Sequence, residues 1–220
     1  MVKPRVSETN EGIQGEFDVS IYDEMQRRFR DKGWMETKRI IGSGIASGVA
    51  LEVGPGPGYL GLEWLKHTSN TTLYGIEISQ EMINISLRNA KQYGLESRVK
   101  YVHHNAQIMP FDNGFFDAIF TNGSLHEWDE PTRIFNEIHR VLKPGGQYYI
   151  SDLRRDINPL MKWMMYAMTK PKSIRPGLIT SLNAAYTVHE LEQILKDTML
   201  QNARVGKTII GVEITGTKKD

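Results

Sequence analysis

Three features of this chain have residue types and spacing that can do chemistry. The first is Glu52-Val53-Gly54-Pro55-Gly56-Pro57-Gly58-Tyr59-Leu60-Gly61. Gly54, Gly56 and Gly58 spell G-x-G-x-G, and Gly56, Gly58 and Gly61 spell G-x-G-x-x-G. Glycines at the carboxyl end of a first parallel strand let a ligand lie against bare backbone. The second is Glu77, which closes the next apolar run, where an acid can accept from ribose hydroxyls. The third is His126 in Ser124-Leu125-His126-Glu127-Trp128. An unperturbed imidazole titrates near neutrality, as a general base must.

The surrounding elements must bring these groups together. Val49–Val53 and Leu73–Glu77 are short apolar runs with the character of buried strands. Val99–His103, Phe116–Thr121 and Gln147–Asp152 follow in the same style. Helices are expected over 21–46, 59–67, from Ser79 to Gly94, and from Pro131 through Val141. Thr187 with Glu190 forms a capping-box pattern for a last helix. Two strand-like runs, 203–208 and 211–217, are close enough to pair antiparallel. Strands alternating with helices imply a parallel sheet covered on both faces.

Composition narrows the function. The chain has 220 residues, 27 basic and 26 acidic, and no cysteine. Near-zero net charge argues against a nucleic-acid partner. The missing cysteine removes thiolate chemistry, disulfides and Cys-ligated metals. His103 and His104 are adjacent on a strand and must face opposite sides, so no metal site is expected. No signal-peptide core begins the chain and no run of about 18 apolar residues occurs, so a cytoplasmic location without a membrane span is expected.

Glu52 bears on which nucleotide the glycine loop holds. A carboxylate beside the loop repels a diphosphate and can meet an ammonium group. The methionine part of S-adenosylmethionine has that ammonium; a nicotinamide dinucleotide does not. A nicotinamide-dependent oxidoreductase and a non-catalytic S-adenosylmethionine-binding module are the competing readings.

The segments VALEVGPGPGYLG (49–61), LYGIEIS (73–79), NAQIMPFDNGFFDAIFTNGSLHEW (105–128) and RVLKPGGQYYISD (140–152) resemble the class I S-adenosylmethionine-dependent methyltransferases. With DLRRD (152–156) and SLNAAYT (181–187), the chain is most similar to a small-molecule branch of quinone-biosynthesis type. The resemblance implies an α/β fold: a doubly wound, mostly parallel, seven-stranded Rossmann-like sheet with helices on both faces. It implies a single domain: an N-terminal arm and helix (1–46), a donor-binding core (47–153), an acceptor lid (154–186) and a C-terminal helix with strands (187–220).

S-adenosyl-L-methionine is then the cofactor and a small molecule the acceptor. Gly54, Gly56 and Gly58 would pass beside the donor, Glu77 would grip its ribose, and Ile78 would pack on its adenine. Asn105-Ala106 stands where the family often has Asp-Ala, and the Asn105 carbonyl oxygen can accept from the adenine amine. Gln107 and Ile108 would flank the ring, and Asn122 would lie near the methionine part. Methyl transfer from a sulfonium needs positioning more than acid–base machinery. His126 is the first candidate base and Tyr186 the second, with Asp152 a further one. Tyr22 in the N-terminal helix is placed to close over the donor. Met161, Met164, Met165 and Met168 suggest one helical face, either an acceptor pocket or a contact with another copy.

Overall fold

The computed structural model describes residues 3–8 and 16–219. The expected helix over 21–46 is two helices, α1 (Glu16–Asp31) and α2 (Thr37–Gly42). Gly33, at φ +67°, separates them. Its left-handed backbone lets the chain turn after α1 without a Cβ penalty. β1 (Gly48–Val53), α3 (Tyr59–Lys66), β2 (Thr71–Glu77), α4 (Gln80–Tyr93), β3 (Val99–His103) and β4 (Phe116–Asn122) then alternate. The Ser79 side chain caps α4 by accepting from Met82 N, and Gly94 ends it at φ +65°.

A single helical turn (Leu125–Glu127) follows β4 and carries His126. α5 (Pro131–Val141) leads directly into β5 (Leu142–Leu153). Lys143-Pro144-Gly145-Gly146, a turn by its Pro-Gly-Gly sequence, is an irregularity inside β5, where the register with β4 slips between Phe116 and Ala118. α6 (Pro159–Met168), α7 (Arg175–Ala184), α8 (Val188–Lys196), β6 (Arg204–Lys207) and β7 (Gly211–Thr217) complete the order.

The seven strands lie in the order β3-β2-β1-β4-β5-β7-β6. The first five are parallel, and β7 runs antiparallel to both β5 and β6. This is the expected Rossmann-like arrangement. Strand alternation sorts the core into two layers. Leu51, Val53, Ile76, Ile119 and Ile150 pack with α5 and α8 residues on one face. Ala50, Leu73, Ala118, Phe120 and Tyr149 pack with α2 and α3 residues on the other. Among the described residues no helix is long and apolar enough to cross a membrane.

α6 buries none of its residues. Trp163, Met164 and Met168 are exposed, while Met161 and Met165 are half-buried, so the four methionines do not form one buried face. By contrast, residues 3–8 are held against the end of α7 and the residues just past β5. Arg155 Nε donates to Lys3 O at 2.8 Å and Val6 N to Asn183 O at 3.1 Å. Arg5 lies 4.2 Å over the Tyr186 ring.

The capping box of α8 is present, and Arg155 grips the same Glu190 carboxylate with both terminal nitrogens. Burial opposes the charge on Glu190, but the bonds from Arg155 and Thr187 hold its carboxyl down to about 2. A carboxylate depressed in the folded state adds stability above its unfolded value and loses it as pH falls through the folded value. Replacing Glu190 by Gln is expected to lower the urea midpoint at about pH 7. The gap from wild type should shrink as pH drops from about 4.5 to about 2. Equal gaps at both ends of that range would remove Glu190 as the source.

Candidate active site

The sheet grows outward in both directions from β1, with β2 on one side and β4 on the other. Helices cross to opposite faces there, so a crevice opens beyond the carboxyl ends of these strands. The crevice encloses about 800 Å³, part of it open to solvent. Its walls bring together Gly54, Gly56, Glu77, Ile78, Asn105, Ala106 and Gln107 from three separate turns. Tyr22 of α1 faces them, beside Glu127 and Trp128.

Glu77 organises the glycine loop. It is 8% exposed, and backbone N–H groups orient both of its oxygens. Ile78 N and Ser79 N donate to Oε1 at 2.9 and 3.0 Å, and Gly56 N donates to Oε2 at 3.0 Å. Burial raises its pKa, and those three N–H groups work against the rise. Gly56 adopts φ +52° and contributes to the wall of the crevice.

Gly58 has a different task. It precedes α3 at φ +83° and does not line the crevice. A Cβ there would sit 2.5 Å from Tyr101 Oη. Its glycine is required by helix packing rather than by close approach of a ligand.

Glu52 is not in the crevice either. Strand alternation puts it on the Ala50 face, beneath the first turn of α3, where it is 2% exposed. Any side chain on Gly61 would run into its carboxyl group. Burial, reinforced by the charge of Glu77, pushes its pKa up to about 8, and its Oε2 has no hydrogen-bond partner. It is a protonated packing acid at neutral pH, not the ammonium partner expected from the sequence. Its parity with Ala50 rather than Leu51 was the available signal.

Asn105 lines the crevice, but its Oδ1 already accepts from Gln107 N at 2.8 Å in an Asx turn. Asn122 lies outside the lining and donates from Nδ2 to Ser151 Oγ at 2.9 Å. Its neighbours Gly123 and Ser124 line the wall instead. Ile108 is 68% exposed and flanks nothing in the crevice.

The catalytic candidates also move. Tyr186 is 5% exposed, and its hydroxyl donates to Trp128 O at 3.1 Å, with burial raising its pKa. It does not line the crevice. His126 is 6% exposed and sits one layer behind the crevice wall. Its Nδ1 faces both Asp152 oxygens at 3.0 Å, and its backbone N–H donates to Asp152 Oδ2 at 2.7 Å. Burial alone would lower the imidazole pKa, but the Asp152 charge and hydrogen bond outweigh it and raise it to about 9. His126 is therefore an imidazolium at neutral pH, not a ready base.

Sequence reasoning missed Glu127, which does line the crevice. Burial pushes its pKa to about 7, partly offset by the charge of His126. Its neighbour Tyr22 accepts from Gln26 Nε2 at 2.9 Å. Burial and then the Glu127 charge hold the Tyr22 hydroxyl well above its ordinary pKa, so it keeps its proton. The expected absence of a metal site also needs revisiting. Glu8, His126 and Glu127 each bring one ligating atom to a common place.

Gly58→Ala tests the packing role directly. Positive φ and the Tyr101 overlap together are expected to cost about 2–4 kcal/mol, read as a lower midpoint in thermal or urea unfolding. A neutral substitution would mean that Tyr101 moves freely aside.

Comparison with known proteins agrees with this geometry. Residues 51–150 match the family described as a methyltransferase domain. The uncharacterized methyltransferase YdaC of Bacillus subtilis is 32% identical over 135 residues, 61% of this chain and 68% of that protein. The Caenorhabditis elegans mitochondrial 2-methoxy-6-polyprenyl-1,4-benzoquinol methylase is 28% identical over 176 residues, 74% of this chain and 61% of that enzyme. With other curated relatives the chain spans as little as 37% of their length. An S-adenosylmethionine-dependent methyltransferase from Aquifex aeolicus shares the fold, with a TM-score of 0.68 at 21% identity, covering 92% of this chain and all of that one. These relatives give no support to a nicotinamide-dependent oxidoreductase. With its glycine turn, strand-end acid and reversed strand order, the chain belongs to the class I S-adenosylmethionine-dependent methyltransferases.

Proposed function

We propose that this protein transfers the methyl group of S-adenosylmethionine to a small organic acceptor with a large apolar portion. The observation that carries the donor half is Glu77, held by three backbone N–H groups at the crevice wall. The residues present fit the donor. Glu77 Oε2 keeps a lone pair for a ribose hydroxyl after accepting from Gly56. Gly54 and Gly56 leave the adjoining wall without side chains. Ile78, Ala106 and Gln107 offer the surface against which an adenine would lie.

Bound there, S-adenosylmethionine supplies a methyl group already activated by its positive sulfur. The acidic lining of Glu77 and Glu127 favours a cationic donor. Tyr22 lies across the crevice and excludes water from its inner part. The remaining task of the protein is to hold the acceptor atom in line with the methyl at about 3 Å.

The acceptor half rests on the segment 154–186, which serves as a lid. Leu160, Trp163, Met164, Tyr166 and Met168 leave α6 with an exposed apolar surface. An acceptor with a long hydrocarbon part would cover it. The worm relative, by its name, methylates a polyprenyl benzoquinol, and that points to the same chemical class.

Incubation with methyl-labelled donor and a solvent-extracted metabolite pool tests this. Label is expected in a solvent-extractable product. Label confined to water-soluble ionic products would sink the apolar-acceptor reading. Glu77→Gln is expected to weaken donor binding at least about tenfold, near 1.4 kcal/mol. Wild-type affinity in that variant would remove Glu77 from the donor site.

A further inference from the structure

At and behind the crevice wall that Glu127 lines, three ligating side chains from distant parts of the chain come together. Glu8 comes from the docked N-terminal segment, and His126 and Glu127 from the turn after β4. One oxygen or nitrogen of each lies within 4.8 Å of those of the other two.

His126 Nε2 faces Glu8 Oε2 at 3.4 Å, an ion pair longer than a normal hydrogen bond. The Glu127 carboxylate lines the crevice and receives no hydrogen bond among the described residues. Behind the imidazole, Asp152 holds Nδ1 with both oxygens and takes the backbone N–H as well. Metal-ligating histidines are held in the same way, with a carboxylate orienting one imidazole nitrogen so that the other can face the ion.

We propose that Glu8, His126 and Glu127 bind one divalent metal ion beside the crevice wall that Glu127 lines. Bonds of about 2.0–2.3 Å place neighbouring ligand atoms about 3–4.5 Å apart, close to the spacing found here. One imidazole and two carboxylates suit Mn²⁺, Fe²⁺ or Zn²⁺ better than the soft ions that prefer sulfur. Three protein ligands leave positions open toward the crevice. The imidazole releases its Nε2 proton to solvent as the ion binds. An acceptor hydroxyl on an open position would give up its proton to water more readily, leaving an oxyanion for the methyl group. That catalytic role rests on the methyl-transfer reading; the ion binding does not.

Mn²⁺ alone is the probe, titrated into the full chain at about pH 8 by calorimetry and electron paramagnetic resonance. One ion per chain is expected. Glu127→Gln and Glu8→Gln should each weaken binding at least about tenfold, and Asp152→Asn by about 10–100-fold. His67→Gln, at the exposed Glu63–His67 pair, should leave it unchanged. His126→Gln alters a buried position, so the two Glu variants keep the test valid if it misfolds. No saturable binding below about 1 mM Mn²⁺, or wild-type affinity in both Glu variants, would overturn the proposal. S-adenosylhomocysteine binding is measured separately. Its absence with Mn²⁺ binding intact would count against the methyl-transfer reading and not against the ion site.

Discussion

Everything at the donor end depends on one buried carboxylate. Glu77 ends β2 with little exposure to water, so its charge must be met by dipoles. Three backbone N–H groups meet it, two from its own turn and one from Gly56. That last bond ties the end of β2 to the loop after β1. It fixes how the glycine loop curves and therefore where the crevice lies. Parallel pairing of the two strands brings the loop within reach, with Val53 opposite Ile76. The sheet register, the loop and the ligand wall are thus one construction.

The turn after β4 depends on a second buried pair. Asp152 and His126 lock the turn after β4 to the end of β5. Arg5 and Arg155 extend this lock outward. Arg5 donates to the carbonyls of His126 and Ala184, and Arg155 to those of Lys3 and Ala185. Guanidinium groups suit this, because their fixed fork can satisfy several carbonyls at once. The N-terminal segment, which has the composition of a loose arm, is pinned to the turn after β4 and the end of α7 by these bonds. It brings Glu8 to a histidine far along the chain.

The alternating elements, the Ser79 and Thr187 caps and the order of the strands were legible because their causes are local. Hydrophobic period, capping chemistry and glycine turns act within a few residues. The helix over 21–46 was misjudged because Gly33 was not given its role as a stop. The Lys143–Gly146 turn was legible as a break, but its absorption into β5 depends on pairing with β4 and β7. The α6 methionines share a helical spacing, yet their exposure depends on which neighbours α6 meets.

The sequence by itself determined a parallel α/β sheet with a glycine turn and an acid at the second strand end, the donor-binding signature of the family. It did so because backbone geometry and side-chain period are encoded in adjacent residues. Only the tertiary structure decided which acids reach the crevice. Glu52 and Glu77 look equivalent along the chain, but one packs beneath a helix and the other enters the wall. Likewise His126, alone in sequence, becomes a charged group between Asp152 and Glu8. Burial and long-range neighbours set the charge of an ionisable group, and the folded chain fixes both.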